Sequence, residues 1–445
     1  MRARVQHSNA IPFFGLVTFW FAMEYLRPQD YITFLGYIRP GLITLIIISM
    51  VWLLRGEKSA LKDKLVIAYA IFIVLGVLSL LYANNTYWAA RRNLELISFL
   101  VGGVLPFVAF MDRPEALRRF FNWWVFIHAL VAAAGVLRGG TGSGGFMGDE
   151  NDLALTMAMA MPFAYFLATQ EQNAVRKVLL IIAGLLMVAA IVATRSRGGF
   201  LGMMTATFAI VYFSRYRVRN FVAVSVIAGL AVLVLVQARL TAPMPGDPND
   251  PTSRQQQGPS YWDEMSSIRD ATDSTRLSRF YFWGRSWEMF VDNPVLGVGT
   301  SNFGWVVEDY ERRDPAFVGD VRWSGGRVNH SIYFTVLAEY GLAGTLVFAF
   351  ITAGIIHRLR KARRLLSTVE TDEARVMTAL VRAGSAGLMA YLIAGAFLTV
   401  NYYPHLWYLL GFTIAMHRIA QKLAPQEVTH PRTTRARLRA SPSQA

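Results

Sequence analysis

Three stretches of this sequence carry residue types that could do chemistry on an anion. The first is ATRSRGGF, residues 193–200, where Arg195 and Arg197 precede Gly198 and Gly199. The second is STRLSRFYFWGRSWEMFVDNPVLGVGTSNFG, residues 274–304, with Arg276 and Arg279 ahead of Trp283. The third is RVNHSIYFTVLAEYGLAG, residues 327–344, with His330 after Asn329. Arginine stays protonated at any biological pH and presents a planar fork of five donors that suits phosphate oxygens. Histidine, with its near-neutral pKa, is the usual general base for a hydroxyl. Each feature also has a plainer reading: interfacial arginines snorkel to lipid headgroups, and a histidine at a helix start often only hydrogen-bonds.

The elements that must position these groups are apolar. Hydrophobic residues make up 54% of the 445 residues and charged residues only 16%, so a soluble multidomain protein is excluded and a polytopic, all-α membrane protein is indicated. Twelve spans are predicted, near 11–26, 34–54, 65–82, 94–111, 119–137, 153–169, 178–194, 199–214, 220–237, 331–356, 377–399 and 404–420. The chain then divides into spans one to nine (1–237), one large loop (238–330), spans ten to twelve (331–420) and a basic tail (421–445). The Pro-, Gly- and Gln-rich start of the loop, TAPMPGDPNDPTSRQQQGPS, reads as mobile, and the tail as disordered. The first apolar run lacks a small-residue cleavage site and is read as an uncleaved span.

Lysine and arginine sort the short loops. Arg55, Lys58, Lys62 and Lys64, then Arg113, Arg118 and Arg119, then HRLRKARR at 357–364 fall on one side. The positive-inside rule makes that side cytoplasmic, with both termini. The large loop then faces the periplasm or exterior, and so does ATRSRGGF, against the charge rule. The net charge of +15 is read as a basic cytoplasmic surface facing anionic lipids and not as a nucleic-acid site. With no cysteine, disulfides, thiolate metal sites and thiol nucleophiles are excluded. No metal-ligand spacing and no phosphate-cradling nucleotide loop is present, so no cofactor is expected.

On the outer face, Gly198 and Gly199 would let backbone N–H groups approach an anion at a helix start. Charge-assisted hydrogen bonds of about 1.5–3 kcal/mol each could offset the roughly 2.5–3.5 kcal/mol cost of an arginine at membrane depth. At 100° per residue, Arg276, Arg279, Trp283, Ser286 and Phe290 share one face of an amphipathic helix. That helix is either an interfacial anchor or a lid whose basic end meets the Arg turn across a diphosphate. Asn329 is expected to cap the tenth span, placing His330 in its first turn. Glu339 lies half a turn out of phase with His330, and the EYGLAG glycines read as helix-packing positions. Asp149, Glu150, Asn151 and Asp152 open another outer-face helix as caps, or hold an acceptor hydroxyl or an arginine. Glu24 and Arg27 of MEYLRPQDY read as a structural pair.

In this order, RSRGGF after a span, Arg279 and Trp283 ahead of NPVLGVGTSNF, and HSIYFTVLAEYGLAG resemble the O-antigen ligase and O-antigen polymerase superfamily. GDENDLALTMAMAMP is similar to that family's Asn-containing helix start. MEYLRPQDY resembles a branch, the exosortase-associated O-glycosylation ligases. The likeness implies about twelve spans with one large outer loop. It also implies a bacterial inner-membrane enzyme moving a glycan from undecaprenyl diphosphate to a hydroxyl, without metal or nucleotide. Carried over, Arg197 and Arg279 would bind the diphosphate, with Arg195 and Arg276 as further candidates, and His330 would be the base. Asn151, Glu339 and Trp283 would support the acceptor or the site. The implied acceptor is the lipid A core; alternatives are Ser or Thr of a protein, a growing glycan chain, or a transporter without chemistry.

Overall fold

A computed structural model describes residues 13–214, 217, 219, 274–313 and 327–424. Among these residues the protein is helical throughout and no strand forms. The elements are α1 (Phe14–Leu26), α2 (Thr33–Ile38), α3 (Pro40–Arg55), α4 (Lys64–Leu78), α5 (Thr86–Ser98), α6 (Leu105–Phe110), α7 (Pro114–Leu137) and α8 (Glu150–Gln170). They continue with α9 (Ala174–Ala193), α10 (Arg197–Phe213), α11 (Ser274–Asp292), α12 (Phe303–Glu311), α13 (Ile332–Leu366), α14 (Asp372–Ala394) and α15 (Pro404–Leu423).

Eleven of the twelve predicted spans coincide with helical segments, and the one at 220–237 lies outside the described residues. Seven helical segments are long and apolar enough to cross a membrane, among the described residues. The α5–α6 span is one of these and is continuous through a π-helical segment over Phe99–Val104. The early part of the long loop and the tail beyond residue 424 are also outside the described residues.

Local chemistry explains the helix starts. Asp63, Asn85, Asn173 and Thr371 each accept a backbone N–H of the helix that follows, satisfying donors a helix leaves open at its N-terminus. Pro40, Pro114 and Pro404 begin α3, α7 and α15, where a missing N–H costs nothing. α8 is the central helix, packed by α7, α9, α10 and α14. Its ALTMAMAMPFA run is buried almost throughout, and the small residues allow close approach of neighbouring helices.

Polar contacts sort the loops into two faces. On one, Arg358 pairs with Asp63 at 2.7 Å, Arg418 donates to Ser59 and Arg118 pairs with Glu171. On the other, Asn85 meets Asn302, Ser143 donates to the Tyr25 carbonyl and Ser196 donates to Asn151. The HRLRKARR run belongs to the first, basic face. The Arg turn and His330 belong to the second.

MEYLRPQDY folds differently from its sequence reading. Arg27 pairs with Asp30 at 2.6 Å, a contact made possible by the short turn at Pro28–Asp30 that brings the two together. The pair lies against Gly144 and Gly145, where a Cβ would fall 2.6 Å from Asp30 Oδ2 and 2.3 Å from Arg27 Cζ. It therefore supports the loop that leads into Asp149 and α8.

Candidate active site

The Arg turn is built from its own hydroxyls. After α9 ends, Thr194 Oγ1 accepts the Ser196 N–H at 3.2 Å, and Arg195 adopts φ 53° with its side chain exposed. Ser196 caps α10 by accepting the Gly199 N–H at 3.0 Å, and donates to Asn151 Oδ1 at 2.7 Å. Arg197 is the first residue of α10 and is half-buried. This corrects the expected role of Gly199. The Gly199 N–H is taken by Ser196, and a Cβ at Gly199 would come within 2.1 Å of the Ala154 Cβ. Gly199 lets α10 press against α8, and its N–H is not open to an anion.

α11 forms over the predicted amphipathic stretch, with Arg276 inside it, although the Arg276 side chain is outside the described residues. Its outward face is Phe280, Trp287 and Val291, each more than half exposed. Its inward face carries Trp283 and the buried Ser286. An apolar outer stripe with polar groups beneath it suits a helix at a lipid interface. Trp283 stacks on Phe334 with centroids 5.2 Å apart, and its Nε1–H donates to the Asn329 carbonyl at 2.9 Å.

Asn329 does not cap α13 as expected. Ser331, with extended backbone, is the N-cap, and His330 sits outside the helix at φ 51°. The reason is that Asn329 turns inward. Its Oδ1 accepts from the Ser331 N–H at 3.1 Å and Thr335 Oγ1 at 2.7 Å, while its Nδ2 donates to Ser286 at 3.0 Å. One buried amide thus ties α11 to α13, and the chain passes through a left-handed residue between them. Non-glycine residues held at positive φ cost about 1–3 kcal/mol and persist where surroundings over-determine them. Burial lowers the His330 pKa below its ordinary 6.5, and Arg279 lowers it further, while Asp149 opposes the shift. Arg279 and Asp149 therefore both act on this imidazole.

Glu339 has a definite task. Its carboxylate accepts the Ser301 and Phe303 N–H groups, both at 3.0 Å, and the Tyr402 hydroxyl. It pins the Gly-rich turn after α11 to α13. The turn itself enters a break in α13 at Gly341, which has φ 60° and ψ −157°. Val298 and Gly299 donate to the Ala338 and Glu339 carbonyls; Leu342 and Ala343 donate to Pro294 and Val295. At Gly341 a Cβ would sit 2.6 Å from the Val295 carbonyl, and at Gly297, φ 70°, 2.5 Å from Ala338 O. Gly341 exists for backbone docking, not for helix–helix packing as the EYGLAG spacing suggested.

Intermediate neighbours lie between some of the predicted residues. A Gly198 Cβ would lie 3.6 Å from Phe397, whose ring is 6.3 Å from Trp283, one turn from Arg279. Asn151 joins through Ser196. The sequence reading missed Arg92, Arg327, Tyr402 and Tyr403. These surround Asn329 and Glu339 in a cavity of about 400 Å³, and Tyr403 donates to Asp152 at 3.0 Å. The available signal was RRNLE at 91–95, two arginines and a glutamate in the N-terminal part of an apolar helical segment. Among the described residues no group of three or more His, Cys, Asp or Glu side chains could hold a metal ion.

Residues 182–349, from α9 into α13, match the family model described as O-antigen ligase. The matched stretch contains Arg197, Arg279, His330 and Glu339. No curated protein matches the chain.

Proposed function

We propose, from the premise that this chain carries an O-antigen ligase domain and is a ligase-type glycosyltransferase of the membrane, that it moves a glycan from undecaprenyl diphosphate to a lipid A core hydroxyl. The observation that carries the reading is the 2.9 Å hydrogen bond from Trp283 to the Asn329 carbonyl, which sets α11, with Arg279 one turn before Trp283, against the residue preceding His330. Arg197 and Arg279, with Arg195 and Arg276 as further candidates, bind the donor diphosphate at the membrane surface. His330 accepts the proton of the acceptor hydroxyl as its oxygen attacks the anomeric carbon. The bond from that carbon to the diphosphate oxygen breaks, the configuration inverts, and the electron pair leaves with the lipid diphosphate. Permanently charged guanidinium groups stabilise that growing negative charge. Burial keeps His330 neutral near pH 7, the state a base needs. On this reading the basic face is cytoplasmic, the Arg turn and α11 lie on the periplasmic face of the inner membrane, and the loop at 238–330 is periplasmic.

The test is reconstitution. Purified protein, lipid-linked glycan and lipid A core acceptor, with chelator and no nucleotide, should yield glycosylated core. A deletion strain should lose its lipopolysaccharide ladder. An unchanged ladder with altered glycoproteins would move the acceptor to protein Ser or Thr, and loss of chain-length extension alone would indicate a polymerase.

One observation favours a second reading, a transporter of the lipid-linked glycan. α13 is discontinuous at Gly341, and transporters place substrate at such breaks. Here, however, backbone groups of 338–343 are taken by residues 294–299. The break docks a loop and leaves little for a substrate to bind.

A further inference from the structure

The cavity of about 400 Å³ next to Asn329 has no part in the steps above. Its walls include Trp88 and Arg92 of α5, Trp305 of α12, Arg327, Tyr402 and Tyr403. It touches the residue before His330, yet Arg197, Arg279 and Trp283 do not line it. It therefore shares the base's loop but not the arginines assigned to the diphosphate. Inverting displacement needs the incoming hydroxyl and the leaving group on opposite sides of the anomeric carbon.

Its volume lies near the lower end of ligand pockets, roughly 300–1,000 Å³, which suits a sugar or two and not a lipid chain. Aromatic side chains supply apolar faces with polar rims, as pyranose rings require. Each guanidinium already has a carboxylate partner, although Arg92 shares Glu95 with Arg91, 3.5 Å away. Arg92 Nη1 is 2.6 Å from Glu95, and Arg327 Nη1 is 2.7 Å from both carboxylate oxygens of the buried Glu311. An incoming phosphate would compete with those carboxylates, whereas a hydroxyl would not. Arg92 Nε is buried and makes no hydrogen bond within the protein, so an acceptor oxygen from a ligand would satisfy it.

We propose that this cavity is the acceptor subsite and that it takes an uncharged terminal pyranose, resting on Trp88 and Trp305 with hydroxyls held by Arg92 and Arg327. This rests on the glycosyltransferase reading with a glycan acceptor.

The experiment uses the full chain in nanodiscs, undecaprenyl-diphosphate glycan as donor, and two lipid A core acceptors. One ends in a neutral hexose and the other in the same hexose phosphorylated. The neutral acceptor should be preferred. Trp88→Ala and Trp305→Ala should each raise its KM about tenfold, as expected for a lost aromatic contact of about 1.4 kcal/mol, with the donor KM unchanged. Glu95→Gln, which releases Arg92, should shift preference toward the phosphorylated acceptor. A parent that prefers the phosphorylated acceptor, or Trp variants that raise only the donor KM, would overturn the proposal. Direct binding separates the two readings. Saturation-transfer NMR should detect the delipidated neutral core oligosaccharide on the parent without donor, and lose it in Trp88→Ala. Binding without any transfer would count against the enzyme reading alone; transfer without this binding would count against the subsite.

Discussion

Adding one methyl group at Gly341 tests whether the loop carrying α11 is locked to α13. In Gly341→Ala the backbone at φ 60°, ψ −157° lies where essentially only glycine is stable, a strain of about 1–3 kcal/mol for alanine. The new Cβ would sit 2.6 Å from the carbonyl carbon and oxygen of Val295 and 2.7 Å from Gly297 N. All three are backbone atoms, so no rotamer change relieves the contact and the turn must move. Four hydrogen bonds cross the break. Losing two of them, at about 0.5–1.5 kcal/mol each, adds a further 1–3 kcal/mol or so. A total of roughly 2–6 kcal/mol follows, large enough to undock the turn and, with it, the Glu339 clamp. Gly284→Ala is the control, because a Cβ at that point of α11 would meet nothing within 4 Å and helix propensity alone favours alanine by about 1 kcal/mol. Thermal unfolding in detergent followed by tryptophan fluorescence should drop by several degrees for Gly341→Ala and hold or rise for Gly284→Ala. Transfer should collapse in the first and persist in the second. A Gly341→Ala protein that melts and transfers like its parent would refute the locking argument.

Two further outcomes bear on the chemistry. Arg197→Lys should reduce transfer by at least about tenfold while expression and melting stay normal, because a point charge replaces a bidentate fork; full activity would reduce Arg197 to a packing role. For pH, the parent should lose activity as acid protonates His330, with a midpoint below 6.5 because burial and Arg279 both lower its pKa. Asp149 favours the imidazolium, so Asp149→Asn should lower the pKa further and extend activity to more acidic pH, while asparagine still caps α8. A shift of the acid limb to higher pH, or none, would remove Asp149 from the site.

The periodicity of apolar residues was enough to place eleven helical segments, because a span must satisfy its backbone internally and hydropathy reports that directly. Loop arginines likewise sorted the two faces that the Arg358–Asp63 and Ser196–Asn151 contacts mark in the fold. What stayed hidden were contacts between segments far apart in the chain. Nothing local marks Asn329 as a bridge from Ser286 to Thr335, so a capping role was the natural reading. Gly341 looked like a packing glycine because its partner, Val295, is 46 residues away. Arg92 and Tyr402 went unread since a cavity wall drawn from α5 and the residues before α15 has no sequence period.

The central claim is that Arg197 and Arg279 face one bound diphosphate beside His330. The chain has no cysteine, so Arg197→Cys with Arg279→Cys provides a unique thiol pair for a short bifunctional cross-linker in native membranes. The account predicts an efficient intramolecular cross-link with the shortest linkers. A pair that fails to cross-link with any short linker would contradict it.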